Sequence, residues 1–302
     1  MTEAHAVETT PIGSSSPLTR NPQSRLRSFS RRFFRNSSAV TGAIVLGLLI
    51  LVALLAPVIA PYDPVVPNPR HRTSPPSREH LMGTDNLGRD VFSAVVYGAR
   101  LSLRVGLISI GIGATIGTML GLLAASYEGW VDTIIMRGID ILLAFPGILL
   151  AIVFVTILGP GLSNVMIAVG IASVPRFTRV VRGAVLSLKQ GVYVEAARSI
   201  GASNLRIMFL HILPNSLPPV IVMATLGTAT AILSAAGLSF LGLGAQPPTP
   251  EWGAMLSNAR TYLRDAWWWA TFPGLAIMVT VLAMNLLGDG LRDVLDPRLR
   301  ER

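Results

Sequence analysis

Glu195-Ala196-Ala197-Arg198-Ser199-Ile200-Gly201, followed by a passage that closes on Leu213-Pro214, forms a polar island in a chain that is otherwise largely apolar. Tyr193, Ala196, Ala197 and Ile200 recur at i, i+3, i+4, i+7, and so do Leu205, Met208, Phe209 and Ile212, the spacing of one helical face. Two short amphipathic helices are therefore expected. Gly201 supplies the stop between them, because a residue without Cβ adopts the left-handed backbone that ends a helix, and Ser203 or Asn204 stands where the next helix is capped. The product is a helical hairpin over residues 190–214 whose apolar stripe and small residues suit packing against a partner surface.

Working outward, the 302 residues are 51% hydrophobic and 14% charged, with a mean hydropathy of +0.57. That balance is too apolar for a typical soluble protein and defines an all-α, polytopic membrane protein. Cysteine is absent, which excludes disulfides and thiolate metal sites. His5, His71, His80 and His211 are scattered along the chain, so no local metal cluster is expected. The net charge of +9 raises the question of nucleic acid, but the charges follow membrane topology instead, and no nucleic-acid role is expected.

Charge-free intervals locate the spans, since about 20 apolar residues cross the hydrocarbon as a helix. They run roughly from Ala39 to Ala60, between Arg104 and Glu128, from Ile134 to Leu158, from Leu162 onward, from Leu217 to Leu241 and from Phe272 to Leu287, giving six transmembrane helices. Gly159-Pro160-Gly161 divides the third from the fourth. With six spans, the N-terminal tail, the turn at Glu128–Arg137, the hairpin loop and the C-terminus share one side and hold 17 of the 25 Lys and Arg residues. By the positive-inside bias that side is cytoplasmic, with both termini inside. Residues 1–38 are read as a disordered basic tail that touches anionic lipid, 39–61 as an uncleaved first span, and 62–100 as an external Pro-rich segment with an interfacial helix. Residues 101–289 form a five-helix core, and 290–302 a cytoplasmic tail.

The external segment ends on Gly83-Thr84-Asp85-Asn86-Leu87-Gly88-Arg89-Asp90, after which Phe92, Val95, Val96 and Ala99 share a helical face. Asp85, Arg89 and Asp90 read individually as surface charges in a turn and helix cap. Pro146 is expected to kink the third span and free a carbonyl, and Gly237 and Gly242 to let backbones approach closely, either to line a pathway or to pack. Asp140 is expected to pair with Arg137 one turn away. Trp267, Trp268 and Trp269 read as interfacial anchors.

The pattern Glu195, Ala196, Ala197, Gly201, Leu213 and Pro214 resembles the EAA loop of permease subunits of bacterial ABC importers. It departs from that family at His211, where the family usually has Ile. The string Gly83 to Asp90, with Asp140 to Pro146, Gly237 to Gly244, Pro250-Glu251-Trp252-Gly253 and Gly288 to Asp293, is similar to the dipeptide, oligopeptide and nickel permeases of that family, over about residues 80–298. The resemblance implies a type I ABC importer permease fold in the bacterial cytoplasmic membrane. Its implied partners are a second homologous permease, two cytoplasmic ATPase subunits or domains that hold the ATP and magnesium, and an extracytoplasmic substrate-binding protein. It also implies that Glu195, Ala196, Ala197, Gly201, Leu205, Leu213 and Pro214 couple the chain to the ATPase, with di- or oligopeptides as substrate and nickel chelates or another small solute as the alternative.

The residues agree on what this chain lacks. Its one lysine, Lys189, lies between Leu188 and Gln190, so no phosphate-binding P-loop can form and no catalytic residues or cofactor are assigned to the chain. An intramembrane hydrolase would need a nucleophile and base, or paired acids, within the spans, and these are not present. A self-contained secondary carrier would favour internal repeats, and none is evident.

Overall fold

The computed structural model describes residues 30–295. The expected disorder of the tail up to residue 29, and the C-terminal tail from residue 296, lie outside the described residues. Residues 30–35 are helical rather than irregular, and Asn36 then caps α1 (Ser37–Leu54), its side chain accepting from the Ala39 amide at 3.0 Å.

Apart from one isolated bridge between Thr84 and Asp90, the described residues are helical or irregular, as an all-α membrane protein requires. The long elements are α2 (Val91–Tyr127), the pair α3 (Gly129–Leu143) and α4 (Gly147–Leu158), and α5 (Leu162–Lys189). They are followed by the short α6 (Val192–Ser199) and α7 (Asn204–Ile207), α8 (Leu213–Phe240), a surface helix α9 (Trp252–Ala259), and α10 (Trp267–Leu295). Among the described residues, five helices are long and apolar enough to cross a membrane, and α3 with α4 makes a sixth crossing if the bent pair is taken as one span.

Two boundaries differ from expectation. There is no separate interfacial helix before the second span: Asp90 caps one 37-residue helix that runs unbroken through Arg100 and Arg104, whose side chains are exposed. The last helix continues to Leu295, so the tail assigned from residue 290 begins as helix. In both places charged residues shortened the apolar run without shortening the helix, because a charge on an exposed face costs little.

The third span is not merely kinked at Pro146. α3 and α4 meet at 95°, because Ala144-Phe145-Pro146 leaves the helix entirely and Pro146 has no amide to continue it.

The scaffold is held by glycine rather than by bulk. Gly113, Gly117 and Gly121 line one face of α2, and a Cβ on them would lie 3.0 Å from the Gly170 carbonyl, 2.9 Å from that of Val174 and 2.6 Å from that of Thr178. α2 and α5 therefore touch backbone to backbone, the close packing that small residues permit between membrane helices. Gly42 of α1 meets Ala283 and Leu287 of α10 in the same way, and Gly290 meets Ala39. The close approach expected at Gly237 and Gly242 occurs beside them instead. Gly253 packs on Ala236 and Gly244 on Ser239, while Gly242, at φ +82°, turns the chain out of α8 with no atom near its missing Cβ.

Candidate coupling surface and translocation cavity

α6 ends in a two-bond glycine stop. The Gly201 amide donates to the Arg198 carbonyl at 2.9 Å and the Ala202 amide to that of Ala197 at 3.0 Å, with Gly201 at φ +83°. Ser203 then caps α7, its hydroxyl accepting from the Arg206 amide. The hairpin expected from the sequence is present, but its second arm is not a separate helix. α7 runs through a π-turn (Met208–Ile212) directly into α8. Pro214 explains the turn, since it cannot donate to the Leu210 carbonyl four residues back. Asn215 satisfies the neighbouring His211 carbonyl with its side-chain amide at 2.6 Å.

The apolar residues of the hairpin divide between two faces. Val194, Ala197, Ile207, Met208 and Ile212 are buried and join the core. Val192 (79% exposed), Ile200 (85%), Tyr193, Leu205 and Phe209 point outward, with Glu195, Ala196, Gly201 and Pro214 also exposed. Leu213 is half-buried, as is His211. Of the expected coupling residues, Ala197 thus seats the hairpin on its own chain, and the others, Leu213 apart, lie on the open face.

Ion pairs brace this end of the molecule. Asp132 receives two bonds from Arg182, each 2.6 Å, tying α3 to α5. Asp140 pairs with Arg179 at 2.8 Å rather than with the expected Arg137, because the bend after α3 leaves its flank against α5. Lys189 caps the carbonyl end of α2, donating to the Ala125 carbonyl at 2.9 Å and to Glu128 at 2.6 Å. That bond, and the lysine charge behind it, hold the Glu128 carboxyl below its ordinary range. The pair is intact at neutral pH and is released only as pH falls through that lowered value.

Beside the hairpin, a cavity of about 1140 Å³ opens between α4, α5, α8 and α10. Its wall is mostly apolar, with Ser173, Thr230, Ser234 and Asn215 for polar contact and the exposed Arg176 and Arg292 for charge. Pro218 and Pro219 line it too, each leaving a carbonyl of α8 without its helical donor. Pro146 lines a smaller recess of about 380 Å³ at the helix break, shared with Pro175 and Arg176. Gly237 and Gly242 are not among the residues that line either space.

The string Gly83 to Asp90 is a buried clamp, not a set of surface charges. Asp85 is 4% exposed and Asp90 3%. Asp85 accepts from the Leu87 and Arg89 amides and from the Arg89 guanidinium at 2.6 Å. Asp90 accepts from the Ser93 amide and hydroxyl, both at 2.7 Å. Thr84 is fully buried, its hydroxyl accepting from the Ser74 amide and donating to the His71 carbonyl. Gly83 and Gly88 both adopt positive φ, and at Gly88 a Cβ would run into the Asn68 carbonyl.

Trp268, read as an anchor, donates instead to the Thr84 carbonyl at 3.1 Å, and Trp269 packs on Tyr262; both are buried, and only Trp267 stays exposed. Glu251, which the sequence offered only as part of a family string, is 2% exposed and caps α9 through the Gly253 and Ala254 amides. An acidic residue immediately before Trp252-Gly253-Ala254-Met255-Leu256, where a helix cap would stand, was the available signal.

An all-helical membrane scaffold with a large cavity and an apolar knob beside it defines a transport component. The chain belongs to the family of inner membrane components of binding-protein-dependent transport systems, whose pattern matches residues 117–301. Residues 24–76 match the N-terminal transmembrane domain of oligopeptide transport permease C. The dipeptide transport system permease protein DppC of Alkalihalophilus pseudofirmus is 52% identical over 266 residues, 88% of each chain. The glutathione transport system permease protein GsiD of Pectobacterium atrosepticum is 53% identical over 275 residues, 91% of each chain. GsiD of Escherichia coli is likewise 53% identical, over 287 residues, covering 94% of this chain and 95% of that one.

Among solved structures, inward facing conformations of the MetNI methionine ABC transporter share the fold. One matches with a TM-score of 0.55 at 21% identity, covering 67% of this chain and 96% of that one. The chain is therefore a non-catalytic, multi-pass permease subunit of an ABC importer in the inner membrane, one part of an assembly with ATPase and substrate-binding partners.

Proposed function

We propose that this subunit carries di- or oligopeptides inward, pairing with a second homologous permease above two ATPase subunits or domains and receiving substrate from an extracytoplasmic binding protein. The observation that carries the coupling half is the exposed apolar face of the hairpin, Val192, Tyr193, Ile200, Leu205 and Phe209, at a loop where a lone membrane subunit has nothing to cover it. The positive-inside bias of the sequence supports a cytoplasmic side for this loop and for both termini. ATP and magnesium then act on the partner subunits. Their closure moves the hairpin as a rigid body, and the π-turn at Met208–Ile212 passes that motion to α8 and the cavity wall. Peptide as substrate is supported by the dipeptide and glutathione transport named for the relatives and by a cavity roomy enough for a short peptide, with Arg176 and Arg292 available to a carboxylate.

Two measurements test this reading. The tagged chain is expected to copurify with its ATPase, and Gly201→Val to abolish that recruitment and uptake while leaving membrane insertion intact. Forcing a β-branched residue into the left-handed backbone costs about 1–2 kcal/mol, whereas Gly201→Asn, a residue that tolerates this backbone, is expected to keep coupling. A chain that purified alone and transported without ATP in proteoliposomes would overturn the importer mechanism. Mass spectrometry of the ligand on the partner binding protein is expected to find a peptide, and a nickel chelate there would replace the substrate.

A further inference from the structure

The four histidines are dispersed in the sequence, yet the fold brings two of them together. Pro69–His71 forms a single 3-10 turn, and a second turn at Ser77–His80 is closed by the Ser77 amide donating to the His80 carbonyl at 2.8 Å and by the His80 amide donating to the Ser77 hydroxyl. The His71 and His80 rings lie 5.2 Å apart, edge to face. Glu79 stands beside them, and one donor atom from each of the three residues falls within 4.8 Å of the others.

His80 carries the decisive observation. It is 3% exposed, and its Nδ1 lies 2.9 Å from Asp90 Oδ1. Asp90 also accepts from the Ser93 amide and hydroxyl, so it serves as an acceptor throughout and Nδ1 is the donor in this pair when the imidazole is neutral. The lone pair is thereby assigned to Nε2, and Nε2 is buried with no hydrogen-bond partner among the described residues. An unmatched buried acceptor costs about 1–3 kcal/mol. A carboxylate that fixes one imidazole nitrogen and leaves the other free is the arrangement that supports histidine as a metal ligand.

We propose that His71, Glu79 and His80 bind one divalent transition-metal ion of the zinc type, with Asp90 orienting His80. Two neutral imidazoles and one carboxylate suit zinc and its neighbours, whereas calcium and magnesium require mostly oxygen donors. The exposed Arg70, Arg72 and Arg78 flank the cluster and weigh further against a site that works by negative charge alone. Zinc holds nitrogen ligands at about 2.0–2.1 Å, which sets tetrahedral donors about 3.3 Å apart, so donors spread over as much as 4.8 Å must draw together by up to about 1.5 Å. The exposed Glu79 side chain is free to do this, and a fourth position stays open to water. The ion fastens the segment between the first two spans to the residue that starts α2. The inference is independent of the substrate reading.

The test uses the full chain, purified in detergent with its partners, stripped with chelator and then titrated with Zn²⁺ alone, with bound metal counted directly. Cobalt substitution supplies a second readout through the visible bands of a tetrahedral site. Wild type is expected to bind one equivalent. His71→Ala, Glu79→Gln and His80→Gln are each expected to weaken binding by at least the roughly 10–100-fold that loss of a supporting hydrogen bond costs a metal site. His211→Ala is expected to bind as wild type. His80 is buried, so if His80→Gln fails to fold, the half-exposed His71 and exposed Glu79 decide. Folded wild type that takes up no stoichiometric metal, or binding unchanged in His71→Ala and Glu79→Gln, overturns the site.

Discussion

Gly88 shows how much one residue without a side chain carries in the segment before α2. Its φ of +77° is a backbone that L-residues reach only at a cost of about 1–2 kcal/mol, and a Cβ there would collide with the Asn68 carbonyl. The Asn68 amide in turn donates to the Leu87 carbonyl, so the two segments of the clamp lean on each other through this one position. Gly88→Ala is accordingly expected to loosen the whole segment. Limited proteolysis of membranes should reveal new cleavage between residues 62 and 90 in the variant, and an unchanged pattern would show that Asn68 can move aside. Asp85 and Asp90 read as surface charges in the sequence because the buried network they belong to reaches far along the chain, as where Trp268 donates to the Thr84 carbonyl.

At the scale of elements, the α2–α5 contact sets the frame on which the cavity hangs. Gly117→Leu would drive a side chain into Phe177 and the Val174 carbonyl, and overpacking of this kind costs about 1–3 kcal/mol. Gly111 on the same helix is exposed with nothing within 4 Å, so Gly111→Leu is expected to stay within about 0.5 kcal/mol of wild type. Thermal unfolding of the purified protein in detergent separates the two, and equal midpoints would remove the glycine face from the account. Both substitutions have the same local chemistry and the same helix propensity. Only the partner helix distinguishes them.

For the whole molecule, the absence of cysteine makes single-cysteine probes direct. Ser234 lines the cavity between α5 and α8, while Leu233, one residue away, is 56% exposed on the outer surface. Alternating access requires the environment of the first to change and that of the second to persist. Ser234→Cys is expected to react with a polar thiol reagent at different rates in the resting and ATP-trapped complexes, and Leu233→Cys at the same rate in both. Identical rates at Ser234 would mean that this cavity is not on the transport path.

Hydropathy, charge distribution and local spacing were enough to determine the all-α membrane class, the apolar segments that offer five or six crossings, the hairpin and its stop at Gly201, because each of these depends on residues within a few positions of one another. The 37-residue extent of α2, the 95° break after α3 and the inward turn of Ala197 were decided by packing. So was the choice of Arg179 over Arg137 as partner of Asp140, and the meeting of His71 with His80. A sequence lists which charges and imidazoles are present. Which of them lie within a few ångströms of each other follows only when glycine faces and proline breaks have brought distant segments together.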